Sequence, residues 1–140
     1  MLDESYHDDA GHFVTRFAAP RSGDVLDIDP NNVTAPFPIR RVYWLVDTTD
    51  GVVRGKHAHR QLKQLCMVAA GSCTFTMEDA HGTSEVVLDR PDKALFLEGL
   101  VWREIKDFSP GCVVVVFADS PYNEADYIRD YAEFHALAHA

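Results

Sequence analysis

No apolar run in this 140-residue chain approaches the ~20 residues that a membrane-spanning helix needs; the longest, such as Cys112 to Ala118, stop at strand length. The start, Met1-Leu2-Asp3-Glu4, lacks the basic segment and apolar stretch that mark a secretory leader. Both absences point to a cytoplasmic protein with no membrane partner. Basic residues are scarce, 13 Lys and Arg against 22 Asp and Glu for a net charge of −9. That balance argues against a nucleic-acid partner, whose phosphates call for a broad basic surface. Cysteines are few and odd in number. Cys66, Cys73 and Cys112 sit in apolar runs and match no zinc or redox spacing, so they are expected as buried free thiols. No internal repeat, low-complexity tract or linker divides the sequence. At 46% hydrophobic content the chain suits one domain, residues 1–140, with residues 1–12 as a polar, flexible segment.

Long helical patterns are missing as well. Short β-type runs follow one another at Ile39–Asp47, Leu62–Ala69, Ser72–Glu78, Ser84–Asp89, Ala94–Glu98, Val101–Phe108 and Cys112–Ala118, with Phe13–Phe17 and Val25–Ile28 as further strands. Turn signals such as Thr49-Asp50-Gly51, Ala70-Gly71 and Arg90-Pro91-Asp92 separate them. Such spacing favours an antiparallel sandwich or barrel, and an all-β jelly roll is the expected fold. One short C-terminal helix is predicted: Asn123 is a good cap, and Tyr127, Tyr131 and Phe134 recur at i, i+4 and i+7.

Chemistry-bearing residues concentrate in one stretch. Gly51, five residues, His57-Ala58-His59, then Gln64 and Gly71 have the spacing of the first cupin motif, in which two His and a Glu hold a divalent metal. Gln64 stands in the place of the Glu, and no second-motif His follows; Trp102 or, with a one-residue slip, Arg103 stands there. A guanidinium at that place would repel a cation. No metal is therefore expected. Side chains repeat every two residues along a strand, so His57 and His59 should enter one pocket, and paired imidazoles without a metal suggest proton transfer. Arg103 has the parity of Val101 and Ile105 and should point where they point. Arg41 and Tyr43 share a face opposite the apolar Val42, Trp44 and Val46, so that face must meet water or a polar cavity. Arg54, Lys56, Arg60 and Lys63 surround the His pair without an intervening acid, which suits a small anion such as a diphosphate. Trp102 suits either stacking on a base or the core. His7, His12, His81, His135 and His139 lie near the ends or a turn and are assigned no chemistry.

Several segments together resemble the sugar-nucleotide 3,4-ketoisomerases of the cupin superfamily, the WxcM-like proteins. They are Arg40-Arg41-Val42-Tyr43, Arg54-Gly55-Lys56-His57-Ala58-His59, Leu62-Lys63-Gln64, Val101-Trp102-Arg103-Glu104 and Asp126-Tyr127-Ile128-Arg129-Asp130-Tyr131, within a likeness running from Pro38 to Phe134. The resemblance implies a metal-free, cofactor-free jelly roll that converts a dTDP-4-keto-6-deoxyhexose to its 3-keto isomer in deoxyaminosugar biosynthesis. It also implies a homodimer with exchanged N-terminal strands. In that picture His59 is the base and His57 the shuttle, Tyr43 and Arg41 serve the enediolate, and Arg54, Lys63, Arg103 and Trp102 contact the substrate. A 3,5-epimerase-like cupin, a non-catalytic sugar-nucleotide-binding module and a metal-dependent oxygenase stand as alternatives.

Overall fold

Alternating side chains build two sheets and bury one face of each. The computed structural model describes residues 3–7, 13–17, 19–29, 35–49 and 51–140, the first two segments through their backbone pairing. One five-stranded antiparallel sheet is ordered β3-β9-β6-β11-β4. Its strands are β3 (Val25–Asp27), β9 (Lys93–Glu98), β6 (Lys63–Ala70), β11 (Val113–Ala118) and β4 (Arg41–Leu45). The other is ordered β12-β5-β10-β7-β8, from β12 (Tyr127–Ile128), β5 (Arg54–His59), β10 (Trp102–Lys106), β7 (Cys73–Asp79) and β8 (Gly82–Leu88). The fold is the all-β cupin jelly roll with a short C-terminal helix. β1 (Asp3–His7) pairs antiparallel with β2 (Phe13–Phe17) as a separate two-stranded sheet.

The core lies between the inner faces, where Val68, Phe75, Leu88, Leu95, Leu97, Ile105, Val114 and Val116 interlock. Cys66, Cys73 and Cys112 are free and buried, as their apolar surroundings require. Gly71 sits at φ +74°, and a Cβ there would stand 2.9 Å from the Cys112 Cα, so the turn between β6 and β7 tolerates no side chain. Register places Val115 beside Trp44 and Met67, and Phe117 beside Val42 and Leu65, all on the outer face. Phe37 covers part of that face against Leu65 and Phe96, but Trp44 is 62% exposed. Trp44 thus looks outward while Arg41, Tyr43 and Leu45 look in.

The C-terminal segment differs from the single predicted helix. Asn123 Oδ1 accepts the Ala125 N–H at 3.1 Å, but it caps only a 3-10 turn at Glu124–Asp126. Tyr127 and Ile128 then add β12 to β5, opposite His59 and Ala58. Helix α1 (Tyr131–Ala138) starts afresh, its Ala132 N–H held at 2.9 Å by Asp130 Oδ1. Strand pairing overrides the helical spacing because Tyr127 and Ile128 must point to opposite faces. Ile128 packs outward with Phe134, Trp102 and Ala58. Burying Phe134 fully contributes roughly 2–3 kcal/mol to holding α1 on the sheet.

Candidate active site

Where the apolar core ends, the space between the sheets turns polar. A cavity of about 420 Å³ opens there, floored by Phe75, Leu97, Ile105 and Val116 and walled by Arg41, Tyr43, Arg54, His57, Gln64, Arg103, Tyr122, Tyr127 and Arg129. Six of these were singled out from sequence: Arg41, Tyr43, Arg54, His57, Gln64 and Arg103.

A bulge in β5 makes this possible. Arg103 pairs with His57 but Glu104 pairs with Gly55, so Lys56 is extra. Lys56 takes φ +55° and Gly55 φ +82°; a Cβ on Gly55 would meet the Arg103 carbonyl oxygen at 3.0 Å. Simple alternation would send Arg54 and His57 to opposite faces, whereas the inserted residue turns both inward.

Hydrogen bonds define both imidazoles. His57 Nδ1 lies 3.0 Å from the Gly55 carbonyl oxygen. Since that oxygen only accepts, Nδ1 carries the proton and Nε2 presents a lone pair. His59 Nδ1 is 3.1 Å from Asp126 Oδ2, and Asp126 Oδ1 accepts the Gln61 backbone N–H at 3.0 Å. The carboxylate, itself fixed, orients His59 and leaves its buried Nε2 without a partner. The rings stand edge to face with centroids 4.9 Å apart. Burial first, and the Arg103 guanidinium second, depress the basicity of His57 from the usual 6.5 to about 4. The same causes in the same order, with His57 added, push His59 down further. Both rings are neutral at pH 7 and able to accept a proton.

Arg103 is 3% exposed. Its Nε donates to the Val101 carbonyl oxygen at 3.1 Å and its Nη1 to Gln64 Oε1, while Nη2 finds no partner. Gln64 Nε2 in turn donates to Tyr43 Oη at 3.0 Å. Tyr43 therefore accepts from the amide and keeps its own proton for the cavity; burial raises its pKa to about 12, so the proton stays. The position that supplies a carboxylate in metal-binding cupins here holds a neutral amide already bonded to a cation. Two imidazoles and that amide oxygen are a poor donor set for a metal. They suit an anion.

Two expected substrate contacts lie elsewhere. Trp102 has the opposite parity to Arg103, so its ring packs outward on Phe134 at 5.7 Å and Tyr131 at 5.4 Å, with Nε1 donating to Glu104 Oε2 at 3.0 Å. Lys63 sits outside the cavity, 3.7 Å from Glu98 Oε1. His59, expected to enter one pocket with His57, is 0% exposed and instead borders a second cavity of about 210 Å³ that shares Arg41 and Tyr127 with the first. Tyr127, whose ring lies 4.3 Å from that of His59 and 5.0 Å from that of His57, forms part of the partition. Arg129 stacks 4.3 Å over Tyr127 and is clamped by both Glu124 oxygens at 2.6 and 2.9 Å. Asp126 and Tyr127 were missed as site residues because helical spacing claimed Tyr127 and because Asp126 is one of four acids, with Glu124, Asp130 and Glu133, close together in sequence.

The chain is similar to known proteins in sequence and in fold. The family model described as "FdtA: WxcM-like, C-terminal" matches residues 14–139. The TDP-4-oxo-6-deoxy-alpha-D-glucose-3,4-oxoisomerase of Aneurinibacillus thermoaerophilus is 40% identical over 112 residues, 80% of each chain. A variant of the 3,4-ketoisomerase QdtA from Thermoanaerobacterium thermosaccharolyticum, crystallised with TDP-4-keto-6-deoxyglucose, superposes with a TM-score of 0.73 at 30% identity, covering 97% of this chain and 89% of its own. A 3,4-ketoisomerase from Helicobacter canadensis superposes with the same TM-score at 32% identity, covering 99% and 94%. The chain belongs to the FdtA family of WxcM-like cupins, the sugar-nucleotide 3,4-ketoisomerase family.

Proposed function

We propose that this protein moves the carbonyl of a TDP-linked 4-keto-6-deoxyhexose from C4 to C3. The observation that carries this reading is the pair of neutral Nδ1–H imidazoles, their Nε2 lone pairs free, beside a buried guanidinium with an open donor. His59, backed by Asp126, takes the C3 proton, and the electron pair forms the C3=C4 bond of an enediolate. His57, which faces the main cavity, carries a proton from O3 to O4. Return of a proton to C4 then leaves the carbonyl at C3. The exchange is internal and balances without an oxidant or reductant. Because Tyr127 partitions the two cavities, its ring turns aside as the sugar reaches His59.

Developing charge on the sugar oxygens is met by the free Tyr43 proton and by Arg41, whose buried Nε also has no partner. One such donor is typically worth about 3 kcal/mol to the transition state. Arg41, Arg54 and Arg103 line the cavity with no carboxylate partner among the described residues, an arrangement that suits a diphosphate. The exposed apolar strip of Val42 and Trp44 supports a homodimer, with the N-terminal strands exchanged between subunits. The enzyme works in the cytoplasm, supplying 3-keto sugars for amination in deoxyaminosugar biosynthesis.

NMR of the purified protein with TDP-4-keto-6-deoxyglucose in deuterated buffer tests the reading. Exchange at C3 and C4, with the 3-keto sugar appearing, is expected. Exchange at C3 and C5 would make the protein an epimerase, and no exchange with stoichiometric protein would make it a binding module.

A further inference from the structure

Two histidines outside the cavity occupy one face of α1. His135 and His139 are four residues apart, their ring centroids 4.3 Å from each other, and Glu78 of β7 reaches the same spot. One ligand atom from each of the three lies within 4.8 Å of the others, the one such group of His, Cys, Asp and Glu among the described residues. We propose that Glu78, His135 and His139 form a surface site for a divalent transition-metal ion, Zn²⁺ foremost, that ties the C-terminal helix to the sheet.

The donor set fits that ion. Two imidazoles at i and i+4 with one carboxylate and a water complete a four-coordinate zinc site. Mg²⁺ and Ca²⁺ prefer oxygen ligands throughout and are disfavoured. Tetrahedral zinc with bonds of about 2.0–2.1 Å places its ligand atoms about 3.4 Å apart, so the group must close by up to about 1.4 Å. His135 and His139 are exposed, and rotation about χ1 and χ2 supplies that movement. Glu78 is already positioned: the Tyr131 hydroxyl lies 2.8 Å from both of its oxygens. A hydroxyl donates its single proton to one oxygen at a time, which leaves the other for the metal. His139 is also the C-cap of α1, where the negative end of the helix dipole favours a cation.

The consequence reaches toward the active site. α1 packs through Phe134 on Ile128 and Trp102, and Ile128 belongs to the strand that places Tyr127 opposite His59. A metal clip at the far end of α1 secures that segment against fraying.

The test uses the full chain, stripped with EDTA and titrated with ZnCl₂ by calorimetry and with CoCl₂ by visible absorption. One equivalent of Zn²⁺ is expected, with a tetrahedral Co²⁺ spectrum and a higher melting temperature. The double variant His135→Gln/His139→Gln should weaken Zn²⁺ binding by at least roughly 100-fold, while His57→Asn/His59→Asn, lacking the active-site imidazoles, should bind as wild type does. Circular dichroism checks that both variants fold, and no readout depends on turnover. Unchanged Zn²⁺ affinity in the His135/His139 variant, or no uptake by the wild type at millimolar ZnCl₂, overturns the proposal.

Discussion

Replacing Gln64 by Glu changes one heavy atom and reverses two arrangements at once. In the native protein Arg103 is buried with no carboxylate bonded to it among the described residues, and its charge is the second cause, after burial, of the depressed basicity of His57. The fall from 6.5 to about 4 corresponds to on the order of 3 kcal/mol in favour of the neutral ring. A carboxylate at position 64 would pair with Arg103 and cancel much of the field at the adjacent imidazole. The burial contribution would remain, so the His57 midpoint should rise by about one pH unit. The second arrangement is the direction of the Tyr43 hydrogen bond. Gln64 now donates to Tyr43, whereas a carboxylate in its place can only accept, which would capture the tyrosine proton that otherwise faces the cavity. Losing one donor to the enediolate should lower kcat roughly 100-fold. NMR titration of the His57 ring in the free variant gives the first quantity, and the kcat/KM profile between pH 4 and 8 gives it independently. An unchanged His57 midpoint in Gln64→Glu would refute the idea that the uncompensated Arg103 charge, after burial, depresses the basicity of His57.

Three further outcomes are expected. Asp126→Asn should lower kcat by about 10- to 100-fold with KM little changed, because one amide oxygen must replace the two carboxylate oxygens that hold the Gln61 N–H and the His59 Nδ1–H; full activity would remove Asp126 from the machinery. Folded His57 holds fewer protons than the unfolded chain between pH 6.5 and about 4. Its contribution to stability is therefore complete above pH 6.5 and is lost as the pH falls through that window, by on the order of 3 kcal/mol; urea midpoints should fall accordingly, and less steeply in His57→Gln. Trp102→Ala should remove about 3–5 kcal/mol of stability by emptying the space between α1 and the sheet while leaving KM of the folded enzyme intact. A raised KM without a loss of stability would instead return Trp102 to the substrate.

Period-2 patterning was enough to place most of the strands, though β1, β5 and β12 were not among the expected runs. Phe13–Phe17 is a strand with the expected bounds, and the longer runs fall within a residue or two of β6, β7, β9 and β11. The parity argument for Arg103 also holds: Ile105 and Arg103 both line the cavity. Patterning fails where a residue is inserted or where two elements share one pattern. Tyr127, Tyr131 and Phe134 look like a helical stripe because their spacing suits one, yet only the last two are helical. The pairing that captures Tyr127 comes from β5, 67 residues distant for the His59–Asp126 contact, and a local period carries no trace of so remote a partner.

The two features that make the site polar were each half visible. Gln64 stood out as a departure from a metal-binding motif, and Arg103 as a charge in an apolar strand. That the first holds the second, and that this bond also orients Tyr43, is a relation between β6, β10 and β4 that only the register supplies. Lys56 shows the same limit from the other side. Nothing in Arg54-Gly55-Lys56-His57 demands a bulge except a glycine next to a residue that must take a positive φ, and without the bulge Arg54 would leave the cavity. The imidazole pair depends on side-chain alternation alone and is legible. The cationic wall beside it depends on one inserted residue and one amide, and becomes legible only when the strands are laid side by side.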